Sequence, residues 1–189
     1  RFAGLWPTLP QERRLSLTQL LVEQSEANIH YNFHAVFRSC LSDTFGEIRR
    51  LAIEGLWEDE RPALIGILAA LLDSDPDRSV RAAAATSLGR FVMQGALGDL
   101  PECYATRAEG ALMASWQREV EPVEVRRRVL ESLAGSADAS VQEFIDNAYL
   151  DDDALMRQSA VYAMGRSADP RWAKIVLEPS VKADILHKI

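Results

Sequence analysis

Histidines four residues apart are a natural place to look for chemistry, and N-I-H-Y-N-F-H-A-V-F holds His30 and His34 at that spacing. On one helix they would share a face and offer two imidazoles to a metal ion. No third ligand stands at helical spacing and H-E-x-x-H is absent, so solvated or capping histidines are expected instead. Asp151, Asp152 and Asp153 form a second cluster. A calcium loop needs D-x-D-x-D-G and a later Glu. This run lacks that spacing and precedes an apolar segment, where short acidic residues cap a helix. Arg126, Arg127 and Arg128 could meet a phosphate, but Glu119, Glu121, Glu124 and Glu131 surround them and local neutralisation is expected. His187 stands alone near the end. There is no G-x-S-x-G, no glycine-rich phosphate loop and no C-x-x-C. The expectation is a protein that is not an enzyme and holds no metal or cofactor.

Composition narrows the class. The 189 residues include 21 basic and 28 acidic side chains, a net charge of -7. That balance opposes binding to nucleic-acid backbone, which needs a basic stripe to displace counterions. It also opposes anionic membrane surfaces. The longest apolar run, Ala63 to Leu72, falls short of the ~20 residues that span a bilayer. Cys40 and Cys103 lie far apart in sequence and read as reduced, partly buried thiols. The chain starts at Arg1 without a signal-peptide pattern, so a cytoplasmic location is expected.

Any site must sit on a repeated element. E-I-R-R-L-A-I-E-G-L-W-E-D-E starts at Glu47, S-V-R-A-A-A-A-T-S-L-G-R at Ser79, E-V-R-R-R-V-L-E-S-L-A-G at Glu124 and L-M-R-Q-S-A-V-Y-A-M-G-R at Leu155. The apolar-Arg pairs begin at Ile48, Val80, Val125 and Met156, giving steps of 32, 45 and 31 residues. The long middle step implies an insertion or extended helices. Between them lie other apolar helices: Phe33 to Leu41, Pro62 to Leu72, a long one around Cys103 to Trp116, and Val141 to Leu150. Alternation of period two and hairpin turn signals are missing, so the chain is expected to be all-α.

Counting the apolar residue as zero, positions 0, 4, 5 and 8 share one side of each Arg-bearing helix. They are Ile48, Ala52, Ile53 and Leu56, then Val80, Ala84, Ala85 and Leu88, then Val125, Val129, Leu130 and Leu133, then Met156, Ala160, Val161 and Met164. One repeat cannot bury that face alone; stacked neighbours can. Gly89, Gly135 and Gly165 are expected to close helix ends in the left-handed conformation. Leu9 to Ala27 reads as a longer capping helix, with leucines inward and Glu12, Arg13 and Arg14 toward water. D-P-R-W-A-K-I-V-L-E starts a fifth unit, but the expected Asp-turn and apolar-Arg helix do not follow, and Pro179 interrupts it.

The pattern V-R-x-x-A-x-x-x-L-G after an Asp-bearing turn resembles HEAT repeats, in the short variety named after phycobilisome lyases. Asp73 to Arg90 is the nearest match, Ala154 to Pro170 is close, and the similarity covers roughly Phe33 to Trp172. It extends to uncharacterised bacterial HEAT-repeat proteins. Such a resemblance implies a right-handed α-α superhelix, a HEAT/armadillo-like solenoid whose Arg-bearing helices line the concave side. It also implies a ladder of ion pairs between units, in which Asp43, Asp77 and Asp153 partner Arg49, Arg81, Arg126 and Arg157, with Glu121 or Glu124 standing in for Asp in the third unit.

The organisation expected is a cap over 1–30, helical pairs over 31–60, 61–98, 99–136 and 137–168, and a partial repeat or irregular tail over 169–189. The expected function is a protein- or peptide-binding scaffold or adaptor without enzymatic activity. Its concave candidates are Arg50, Glu54, Trp57, Arg90, Arg127, Glu131, Gln158, Tyr162 and Arg166. Exposed Trp, Tyr and Arg are favoured in binding hot spots. Trp57 has two open readings: an exposed anchor, or a ring folded over the next turn to fill the space beside Gly55. A phycobilin lyase-like accessory protein and a nucleic-acid-binding HEAT-like protein are the alternatives.

Overall fold

The computed structural model describes residues 2–28, 30–118 and 120–177. Its elements are α-helices and short 3-10 turns, with no strand among the described residues. In chain order they are α1 (Phe2–Leu5), α2 (Gln11–Ala27), α3 (His34–Cys40), α4 (Gly46–Gly55), α5 (Ala63–Ser74) and α6 (Arg78–Leu97). Then come α7 (Glu102–Trp116), α8 (Val123–Leu133), α9 (Ala139–Tyr149), α10 (Ala154–Ser167) and α11 (Ala173–Val176). The Arg-bearing helices α4, α6, α8 and α10 pack on one another in sequence, with α2 at the head of the row. Helices α3, α5, α7 and α9 each pack on the Arg-bearing helix that follows. The chain is thus an all-α solenoid of paired helices. Among the described residues, no helix is long and apolar enough to cross a membrane.

Burial follows the repeated register. Every residue at positions 0, 4, 5 and 8 of the four Arg-bearing helices is buried. The long middle step comes from extended helices, since α6 runs 20 residues and α7 runs 15. Helix α6 does not close at Gly89. It continues to Gly98, whose φ of 80° ends it in the left-handed region. Gly89 instead lets two helices approach: a Cβ there would lie 2.6 Å from the side chain of Ser132 on α8. Gly165 lies inside α10, which closes on Ala168 at φ 53°. Gly135 follows α8 and its φ is not positive.

The ion-pair ladder exists, but its rungs are shifted. The Arg49 fork donates to the carboxylate of Asp75 in the next unit at 2.7 and 2.6 Å, not to Asp43 or Asp77. Its remaining nitrogen donates to the Asp43 carbonyl at 2.7 Å. Arg81 repeats this with Glu121 at 2.8 Å and the Asp75 carbonyl at 2.7 Å. Asp43 receives Arg14, at 2.9 and 3.2 Å, and the buried Trp6 indole, at 2.7 Å. Arg14 therefore does not face water; only its neighbours Glu12 and Arg13 are exposed. Arg126 makes no ion pair among the described residues. Its guanidinium lies over the Trp116 ring at 4.9 Å, and its buried Nε has no hydrogen-bond partner among them. Arg157 donates to the carbonyls of Asp151 and Asp152 at 2.7 and 2.8 Å.

The turns before α6 and α10 carry two acidic positions with separate jobs, which is why the expected pairing slips. In two turns the second acid caps the helix. Asp77 accepts from the Ser79 N–H at 2.9 Å, and Asp153 from those of Leu155 and Met156 at 2.8 and 3.0 Å. The first acid accepts the N–H two residues on, as Asp43 does from Phe45 and Asp75 from Asp77, both at 2.9 Å. That fixes its carboxylate toward the preceding unit. Of the partial repeat or tail expected over 169–189, the structure describes a 3-10 turn over Pro170–Trp172 and α11; residues 178–189, with Pro179 and His187, and also Glu119, lie outside the described residues.

Candidate functional site

The row of Arg-bearing helices carries a chain of surface hollows, and Trp57 borders three of them. The alternation around Trp57 explains its placement. Leu56 before it is fully buried, and Asp59 after it is 2% exposed and bound by Arg38 and Arg61. Trp57 between them is 55% exposed. It cannot fold back to fill the space beside Gly55, because the Phe37 ring already occupies that space; a Cβ on Gly55 would lie 2.5 Å from the ring. Of the two readings of Trp57, the exposed one holds.

Arg90 is part of the support for this loop. Its guanidinium donates to the carbonyl of Trp57, and to that of Asp59 at 2.9 Å, and sits 4.6 Å from the Phe91 ring centroid and 5.7 Å from that of Trp57. Burial pulls its pKa down to about 10, and at neutral pH it remains a cation. Arg90 thus clamps the turn that projects Trp57, rather than presenting itself for recognition. Arg127 is similarly committed: its Nε donates to Ser159 at 2.9 Å and ties α8 to α10. Glu131 is buried in the floor, where it accepts from Ser159 at 2.6 Å and from Arg128 at 2.7 Å.

The other candidates line the hollows or stand exposed near them. Arg50 and Glu54 sit with Trp57, Thr86 and Arg128 in the hollow between α4 and α8. Arg50 binds Glu47 and Glu54 on its own helix, and the Glu47 bond is the main reason its pKa is raised. Tyr162 and Arg166 line the next hollow, with the Arg166 guanidinium 3.4 Å from the Tyr162 hydroxyl. Gln158 is exposed on α10. The structure adds Arg128, which borders two hollows, and Glu26, Tyr31 and His34 at the α2 end, beside Glu58, which position 10 of the first Arg-bearing helix already turns away from the core. The helical wheel offers a signal for Arg128 alone, three residues after Val125. Glu26 and Tyr31 belong to a segment outside the repeat pattern.

The remaining chemistry-bearing residues are dispersed. Among the described residues, no three of His, Cys, Asp and Glu gather as a metal site. The backbone N–H groups of His30 and His34 donate to the side chains of Asn28 and Asn32 at 3.0 and 3.1 Å; His30 sits in a turn and His34 opens α3, so the two do not share a helix. Cys40 is buried and Cys103 exposed, and both are free thiols. Burial, with Asp43 nearby, pushes the Cys40 thiol up to about 12, which removes it as a nucleophile near neutrality.

Residues 35–114 match a family model described as HEAT repeats. The match runs from α3 through most of α7, and helix pairing continues beyond it through α10. No curated protein matches the chain.

Proposed function

We propose that this chain, whose residues 35–114 match HEAT repeats, serves as a non-enzymatic scaffold or adaptor, binding a protein or peptide along the groove of its Arg-bearing helices. HEAT repeats are in general protein-interaction scaffolds, so the family supports this class of function. The observation that carries the reading here is Trp57: a large ring held outward by its buried neighbours and by the Arg90 clamp, at the meeting point of three hollows. A preformed groove costs little ordering on binding, and exposed aromatic anchors supply most of the energy at such surfaces.

Affinity capture with wild type and with a Trp57→Ala, Tyr162→Ala double variant tests the reading. Both sites are surface-lining, so the variant should melt within a few degrees of wild type. Interaction partners should then be lost from the variant alone. Identical partner sets, with the fold intact, would sink the groove as the binding surface.

A further inference from the structure

The groove is electrically polarised along its length. At the α2–α4 end, the hollow is lined by Glu26, Glu54 and Glu58, with His34 beside them and no Lys or Arg among the described residues of its wall. All three carboxylates are exposed, and Tyr31 and Trp57 stand among them, 49% and 55% exposed. Arg50 on α4 takes up part of the charge of Glu54, while Glu26 and Glu58 make no ion pair among the described residues. At the α8–α10 end the sign reverses. Among the described residues, Arg128, Arg166 and Glu131 line that hollow; Glu131, buried in the floor, is ion-paired with Arg128 at 2.7 Å, and Arg166 makes no ion pair, which leaves the positive charge in excess. Trp57 belongs to both hollows and separates the poles.

Resting on the binding reading above, we propose that the groove takes an extended peptide segment of matching polarity. One end of the segment carries a Lys or Arg side chain. It seats against Glu26, Glu54 and Glu58 with its stem on Tyr31 and Trp57, where aromatic faces favour a cation. The middle places an apolar or aromatic side chain on Trp57. The other end carries Asp or Glu toward Arg128 and Arg166. Rim charges of this kind set orientation and reject wrong partners more than they add raw affinity. A segment of reversed polarity would bring like charges together at both poles.

Selection from a displayed library of random peptides, with the full chain as bait, tests the proposal. Enriched peptides should pair a basic residue at one end with acidic residues at the other, around a central apolar residue. Synthetic copies should then bind more weakly, by about three- to tenfold, when the wall is changed by Glu26→Gln with Glu58→Gln, or by Arg166→Gln. The Glu variants should be rescued by peptides whose basic residue is replaced by Gln. Trp57→Ala separates the two levels. Peptides that depend on Trp57 but show no charge pattern, and are indifferent to the Glu and Arg variants, overturn the polarity and leave the groove reading standing. Peptides indifferent to Trp57, or no enrichment at all, overturn both. Concentration-dependent self-association abolished by Trp57→Ala assigns the groove to a second copy and also overturns the proposal.

Discussion

Gly89 and Gly110 look alike in the sequence, each flanked by helix-forming residues, yet their surroundings oppose one another. A Cβ at Gly89 would meet the Cβ and Oγ of Ser132 at 2.6 Å and its Cα at 2.9 Å, so α6 and α8 would have to part. A Cβ at Gly110 on α7 would meet nothing within 4 Å. Gly89→Ala is therefore expected to destabilise by about 1–3 kcal/mol through overpacking. Gly110→Ala should stabilise by about 0.5–1 kcal/mol by removing backbone freedom from the unfolded chain. Urea denaturation midpoints of the two variants should move in opposite directions. The sequence pattern placed Gly89 as a helix terminator because a closing glycine and a close-approach glycine carry the same local signal. The residue that decides between them, Ser132, is remote in the chain. Trp57 is the same kind of case, its exposure decided by Phe37 filling the space beside Gly55.

At the scale of elements, the capping helix is fastened by one carboxylate. Asp43 accepts from Trp6, from Arg14 on α2 and from the Phe45 N–H that leads into α4. Burial pushes the Asp43 pKa up most strongly, but these donors together outweigh it and hold the group below the ordinary carboxylate range. A depressed folded pKa gives a contribution that is complete above the unfolded value, about 4, and lost as pH falls through the folded value. Acidification below about pH 4 should thus loosen α2 and Trp6 from α4. Asp77, which accepts from Ser79, and Glu47, bonded to Arg50, are depressed in the same direction, so their contributions are lost in the same window. Asp43→Asn isolates the cap: the acid-dependent loss of protection at α2 amides and at the Trp6 indole N–H should disappear in that variant. A persistent step would mean that another group fastens α2. The helix itself was legible from its apolar spacing, whereas Arg14 looked solvent-facing because its partner lies 29 residues away.

For the whole molecule, stability should vary along the array, since each unit of a solenoid touches only its neighbours. The pairs Arg14–Asp43, Arg49–Asp75 and Arg81–Glu121 link successive turns through largely buried side chains. The following rung is missing among the described residues, because Arg126 faces the Trp116 ring instead of a carboxylate. The α8–α10 junction relies on Arg127, Ser159 and Glu131. Amide exchange should therefore report a lower opening free energy for α9 and α10 than for α5 and α6. Equal protection across the array would show that the ladder does not set the coupling between units. The helix pairs, the buried register at positions 0, 4, 5 and 8, and the acidic caps of α6 and α10 follow from the sequence alone, because each depends on residues within a turn or two of itself. Which carboxylate each arginine reaches, which way Trp57 faces, and how charges gather at opposite ends of the groove were decided only by the tertiary structure. Those features depend on how one unit stacks on the next, bringing together side chains 26 to 40 residues apart, and no local pattern encodes that rotation and spacing.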